Sequence, residues 1–203
     1  MKKIQQSSYR IPAGVTFYEQ EIKRSKFLTW IAPADSPDIA KQWIQSIKEQ
    51  YPDARHVCWA YIAGAPDTFL KSMSDDGEPS GTAGKPMLNV LEHSEVGDIA
   101  VAVVRYFGGI KLGTGGLARA YSSSVSEAIK QAEYVMKIAM EDLSLSFPYA
   151  EESQVRYLLS EVDGKVGDLQ YGDLVTLSCS VPSQYMDEFK QRLGLEVVIN
   201  QNE

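Results

Sequence analysis

The sequence is poor in the residues that carry most catalytic and metal chemistry. It has two cysteines in 203 residues, Cys58 and Cys179, in different halves and without metal-ligand spacing. With no export signal, this reads as two free thiols in a reducing cytoplasm. There are two histidines, His56 and His93. A Ser-His-Asp hydrolase gains no support, because the G-x-S-x-G elbow is missing. Long apolar runs are missing as well: the longest, near Ile99–Val104, falls far short of the ~20 residues of a membrane span. The N-terminal MKKIQQSSYRIP has lysines but no apolar stretch behind them, so no signal peptide and no membrane partner are expected. Internal repeats and low-complexity segments are absent.

A surplus of positive charge is also missing. The net charge is −7, from 20 basic and 27 acidic residues. Residues 1–136 hold 15 of each sign, whereas residues 137–203 hold 5 basic and 12 acidic. The second part therefore carries the whole excess, which argues against its gripping a polyanion. The first part is neutral and can still hold a local basic patch. With 44% apolar and 23% charged residues the chain has the balance of a globular protein. Its length suits one large domain or two small ones, and the charge asymmetry favours two.

Strand patterns run over Val15–Ile22 and Phe27–Ala34, around a short basic turn, Lys23–Lys26. Ser36 and Pro37 open a helix that extends to about Gln50, with Ile39, Trp43, Ile44 and Ile47 on one face. His56–Gly64 has strand composition, and Ser74–Pro86 consists of turn formers that are expected outside any core. A short helix over Pro86–His93 and a Val-rich strand over Asp98–Phe107, buried on both faces, come next. A long helix follows from Leu117 to Met136. The remainder reads strand (Met140–Pro148), helix (Ala150–Val162), hairpin (Lys165–Gly172, Leu174–Pro182), helix (Ser183–Gly194), strand (Leu195–Asn200). That β-α-β-β-α-β order is the ferredoxin-like pattern. The expected class is α+β, with domains 1–137 and 138–203.

Two loops stand out. RYFGGIKLGTGGLARAY places five glycines, Gly108, Gly109, Gly113, Gly115 and Gly116, within nine residues between a strand and a helix. GTGGLA matches G-x-G-x-x-[GA], but the acid at dinucleotide spacing, Glu133, sits inside the helix pattern. A helix N-terminus with free N–H groups, flanked by Arg105, Lys111 and Arg119, is a generic anion site. In SDDGEPSGTAGKP, Gly84-Lys85 suggests a Walker A loop, yet Pro79 and Pro86 stand where that motif needs its first glycine and its hydroxyl. Asp75, Asp76 and Glu78 could hold a hard cation, or the loop is a solvated turn with Thr82 as a helix cap, or a rigid surface for a partner. His56 and Cys58 share a strand face, as a nucleophile pair or as a packed, inert thiol. KRSKF, with Tyr18, Phe27 and Trp30 around it, is either a partner contact or a solvated hairpin turn.

KRSKF, ARHVCWAYIAG, SDDGEPSGTAGKPML and VVRYFGGIKLGTGGLARAY, in this order and spacing, resemble the YigZ/IMPACT family over most of the chain. The resemblance implies an N-terminal sheet like domain 2 of ribosomal protein S5, with helices on one side. It implies a C-terminal ferredoxin-like domain resembling domains of the elongation factor that translocates the ribosome. That pairing points to RNA, the ribosome or a translation-associated protein as partner. Eukaryotic relatives regulate translation under amino-acid starvation by competing for the activator of a stress kinase, a mechanism that does not transfer to a bacterial chain. No catalytic residue, metal or cofactor is implied. The family's signature falls on Asp75, Asp76, Gly77, Glu78, Gly81, Thr82, Gly84, Lys85 and Pro86, and on Arg105, Tyr106, Gly108, Gly109, Gly113, Gly115 and Gly116. With Lys111, Lys23, Arg24 and His56, these are the candidate binding residues. The expectation is one mixed-charge cleft that brings Lys85, Arg105 and Lys111 near Asp75, Asp76 and Glu78. The function expected is non-catalytic, translation-linked binding. The alternatives are a protein-interaction adaptor, and an enzyme on a phosphorylated small molecule with Asp75 or Asp76 on a metal and Lys85 on the phosphate.

Overall fold

The structure, a computed structural model, describes residues 8–200, so the lysines at the N-terminus lie outside the described residues. It divides into a unit of Tyr9–Lys137 and a second unit that begins at Ile138.

In the first unit, β1 (Ser8–Pro12) is followed by β2 (Thr16–Ile22) and β3 (Ser25–Pro33), then α1 (Pro37–Gln50), β4 (His56–Ile62) and β5 (Lys71–Ser74). α2 (Gly84–Ser94), β6 (Ile99–Tyr106), α3 (Thr114–Gln131) and β7 (Tyr134–Ile138) complete it. The main sheet is antiparallel throughout, in the order β2-β3-β6-β4-β5. The expected cap of α1 is in place: Ser36 Oγ accepts the Ile39 N–H at 3.3 Å, and Pro37 occupies the first turn.

Alternation along the strands gives the sheet two apolar faces. Ile99, Val101 and Val103 of β6 join Phe27, Ile31 and Cys58 on the face covered by α2 and α3. Ala100, Ala102 and Val104 turn the other way, towards Ile44 and Ile47 of α1. The expectation of helices on one side therefore holds for α2 and α3 and is corrected for α1. Every residue of β6 up to Arg105 is buried, and a strand apolar on both faces requires cover on both.

Two further expectations are corrected. The long helix stops at Gln131, and Tyr134–Ile138 is instead strand β7, paired with β1. Ala132 is already extended (φ −68°, ψ 142°), and the Tyr134 hydroxyl donates to the Ile129 carbonyl at 2.6 Å, covering a helix-end acceptor. The Ser74–Pro86 loop does enter the core: Ala83 is fully buried, and Glu78 and Thr82 are nearly so.

The second unit contains β8 (Met140–Phe147), α4 (Glu152–Glu161), β9 (Lys165–Tyr171), β10 (Val175–Pro182), α5 (Met186–Arg192) and β11 (Val198–Asn200). Its antiparallel sheet has the order β11-β8-β10-β9, the ferredoxin-like arrangement. Leu145, Phe147 and Leu177 pack with Val155, Leu159 and Phe189 of the helices. The residues between them on the two central strands, Ser144, Ser146, Thr176 and Ser178, put hydroxyls on the opposite face. No aromatic residue lies among these four for a base to stack on.

Both thiols are buried and free. Burial pushes Cys58 up to about 12 and Cys179 up to about 11. Cys58 Sγ lies 2.9 Å from the Asp75 carbonyl and 3.3 Å from the Tyr121 hydroxyl, while His56 Nδ1 is engaged by the Asp76 carbonyl at 2.9 Å. The packed-thiol reading is the one the geometry supports. Neither cysteine should react with a disulfide reagent at pH 8 until denaturant is added. Release of one equivalent of chromophore by the native protein would contradict this.

Candidate functional site

The antiparallel register brings the chain's chemistry to one end of the main sheet. His56, at the start of β4, and Phe27, near the start of β3, both pair with Arg105, near the end of β6. The Lys23-Arg24 turn, the Ser74–Pro86 loop and the glycine loop after β6 all emerge there.

The acidic loop is anchored by its own side chains. Asp75 accepts N–H bonds from Gly81 (2.7 Å), Ala83 (2.9 Å) and Gly84 (2.8 Å), which caps the start of α2. Burial raises its pKa, but the three N–H donors outweigh this and hold the carboxyl below its ordinary value. Asp76 accepts from the Val57 N–H at 2.8 Å and from Lys48 at 2.6 Å. Asp76 and Gly77 are both left-handed (φ 42° and 87°), and a Cβ on Gly77 would lie 3.2 Å from His56 Nδ1. This double turn sends Glu78 inward. There its carboxylate accepts from Arg105 Nη1 at 2.6 Å and from the Tyr121 hydroxyl at 2.9 Å.

Arg105 links the two loops. Its side chain is 7% exposed, and its guanidinium carbon lies 5.6 Å from the ring centres of both Phe27 and Phe107. Nη2 reaches Ser25 Oγ at 3.4 Å, and Nε has no partner. Ser25 Oγ also accepts the Gly108 N–H at 3.2 Å. Gly108 has to be glycine, since a Cβ there would fall 1.9 Å from the Arg24 carbonyl oxygen.

α3 then begins without a side-chain cap. Its N-cap is Gly113 (φ 73°), no acid lies in its first turn, and the exposed Thr114 and Gly115 follow. The first N–H groups of such a helix have no helical acceptor and carry partial positive charge. They border a cleft of about 680 Å³ lined by Arg55, His56, Glu78, Arg105, Phe107 and Lys111, among others.

Glu78, Arg105, Tyr106, Lys111, Gly113 and His56 thus share this cleft. Tyr106 donates from its hydroxyl to Asp53 at 2.9 Å on the rim. Lys85 is exposed in the first turn of α2 and is not part of the lining, so the expected clustering of Lys85 with Arg105 and Lys111 is corrected. Gly81, Thr82 and Gly84 shape the loop behind the cleft. Lys23 and Gly116 border a separate, smaller depression with Leu112 and Arg119. Arg24 (φ 65°) holds the β2–β3 turn, and Gly109 (φ 87°) and Gly115 are exposed. The three carboxylates do not converge, and the described residues contain no group of three or more His, Cys, Asp or Glu placed to hold a metal. No helix among the described residues is long and apolar enough to cross a membrane. Arg55, Phe107 and Thr114 were not singled out by motif. Arg55 was legible only through the β4–β6 pairing, which places it beyond His56 and so near Arg105.

Residues 23–129 match the family model of the Impact N-terminal domain, and residues 145–194 match a domain of unknown function (DUF1949). The chain is similar to IMPACT family member YigZ of Escherichia coli (strain K12), with 42% identity over 188 residues and 92% of each chain covered. It is 35% identical over 95 residues to Protein IMPACT of Oryctolagus cuniculus, covering 45% of this chain and 29% of that one. Among solved structures, a crystal structure described as that of a hypothetical protein matches 98% of this chain and 99% of its own, with TM-score 0.77 and 39% identity.

Proposed function

The chain belongs to the IMPACT family, and we propose that it is a regulatory binding protein of translation whose first unit contacts RNA phosphates through the cleft at the start of α3. The observation that carries this reading is the pairing of an uncapped helix N-terminus with two exposed cations, Arg55 and Lys111, on one cleft. Such an arrangement attracts anions, and the N–H groups give them directed contacts. Glu78 does not counter it, because its charge is taken by Arg105. The acidic second unit, with a hydroxyl-bearing sheet face, is assigned no phosphate contact.

Co-sedimentation with ribosomes and with total RNA, at low and moderate salt, tests the reading. The partner variant is Arg55→Ala/Lys111→Ala, since both residues are exposed and neither anchors the fold. We expect binding by the wild type that weakens steeply with salt. Losing two phosphate contacts should lower the log–log salt slope by about 1.4 on single strands. Binding indifferent to salt and to the double substitution would instead favour the adaptor reading. That reading has one observation of its own: Phe69 and Leu70, 95% and 54% exposed, project beside the edge strand β5.

A further inference from the structure

We propose that the cleft is built for one nucleotide unit, with its phosphate on the N-terminus of α3 and its base on the open face of Phe107. The inference rests on reading the cleft as an anion site and goes further by naming what the anion is attached to.

The phosphate end is defined by two features. The N-terminus of α3 has no side-chain cap and no acidic residue in its first turn. Lys111 and Arg55 line the same cleft. Beneath them lies the Arg105–Glu78 ion pair, more than nine-tenths buried, which fixes the floor of the cleft. The charges do not cancel this. Glu78 is matched by Arg105, and Asp53 on the rim offsets one of the two exposed cations, so the lining keeps one positive charge in excess.

The rest of the cleft is not made for phosphate alone. At about 680 Å³ it falls within the range of small-molecule sites, and a bare phosphate would leave most of it empty. Phe107, Leu112, Leu117 and Pro79 give it apolar walls. Phe107 is 57% exposed, and the Arg105 guanidinium sits 5.6 Å from its ring centre. A cation on one face holds the ring in place and leaves the other face for stacking, which every base can use. An anion site next to an aromatic platform, at nucleotide size, is the chemistry of a nucleoside monophosphate. The unit is either a free nucleotide or the phosphorylated end of an RNA strand.

Calorimetric titration of the full chain separates these sources. The probes are UMP, AMP, uridine, inorganic phosphate, and a short oligouridylate with a 5′-phosphate or a 5′-hydroxyl. We expect the nucleotides to bind at least about fivefold more tightly than phosphate, through stacking of the base on the aromatic face, and more tightly than uridine, which lacks the phosphate. Phe107→Ala should remove the advantage over phosphate and leave phosphate binding unchanged. Lys111→Ala should weaken both. A preference for the 5′-phosphorylated oligomer over the 5′-hydroxyl form identifies an RNA end as the source. UMP or AMP binding without any oligomer binding identifies a free nucleotide; it would uphold this inference and overturn the RNA reading above. Oligomer binding that ignores the terminal phosphate, with no mononucleotide binding, would overturn the inference and leave the RNA reading standing. Unchanged nucleotide affinity in Phe107→Ala would overturn it as well.

Discussion

Glu78→Ala is expected to destabilise the first unit by about 3–5 kcal/mol, the usual result of removing one partner from a buried ion pair. The side chains of Arg105 and Glu78 are 7% and 4% exposed, so water cannot replace the missing carboxylate without opening the structure. The guanidinium would be left between two phenylalanine rings with Nε already unpartnered and Nη1 newly so. The Tyr121 hydroxyl would lose its acceptor in the same step. All three tryptophans, Trp30, Trp43 and Trp59, lie in this unit, so their fluorescence in urea reports on it without contribution from the other. A double change, Glu78→Leu/Arg105→Met, should recover much of the loss, because replacing a whole buried pair with apolar groups is far milder than breaking it. A Glu78→Ala protein that unfolds at the wild-type urea midpoint would show that this pair does not join the two loops.

Asp75→Ala is expected to lower stability by about 3 kcal/mol, less than the sum of three charge-assisted bonds, since the exposed part of the loop can rehydrate. Its carboxylate satisfies the N–H groups of Gly81, Ala83 and Gly84, and nothing else caps α2. Asp75→Asn keeps one acceptor oxygen and should lose less. The same carboxylate predicts a pH dependence. Burial raises its pKa, the three N–H donors lower it further, and the folded value lies below the unfolded one. A depressed folded pKa contributes stability that is present above the unfolded value, about 3.9, and is lost as pH falls through the folded value. Wild type should therefore lose stability below about pH 4 more steeply than Asp75→Asn. Parallel profiles for the two proteins would refute the assignment.

Asp75 and Glu78 also show where the sequence ceases to be informative. Three acids within four residues, in a run of turn formers, carry the pattern of a solvated loop or a cation site. Nothing local distinguishes an acid that caps a helix nine residues on from one that pairs with an arginine 27 residues away. Lys85 and Lys111 carry the same charge next to glycines, yet one points to solvent from α2 and the other lines the cleft.

By itself the sequence determined the α+β class, the cap and length of α1, the order of elements in the ferredoxin-like unit and the two glycine loops. All of these rest on interactions within a few residues: apolar periodicity, caps, and the positive φ that glycine permits. The tertiary structure alone decided which charges face one another, that α1 covers the second face of the sheet, that the tail of the expected long helix pairs with β1 as a strand, and that the acidic loop turns inward. Those outcomes depend on contacts between residues far apart in the chain, such as Glu78 with Arg105, Ser25 with Arg105, and β1 with β7. The pairing register of β3, β6 and β4 sets the contacts between the two loops, and no local pattern encodes a register across that distance.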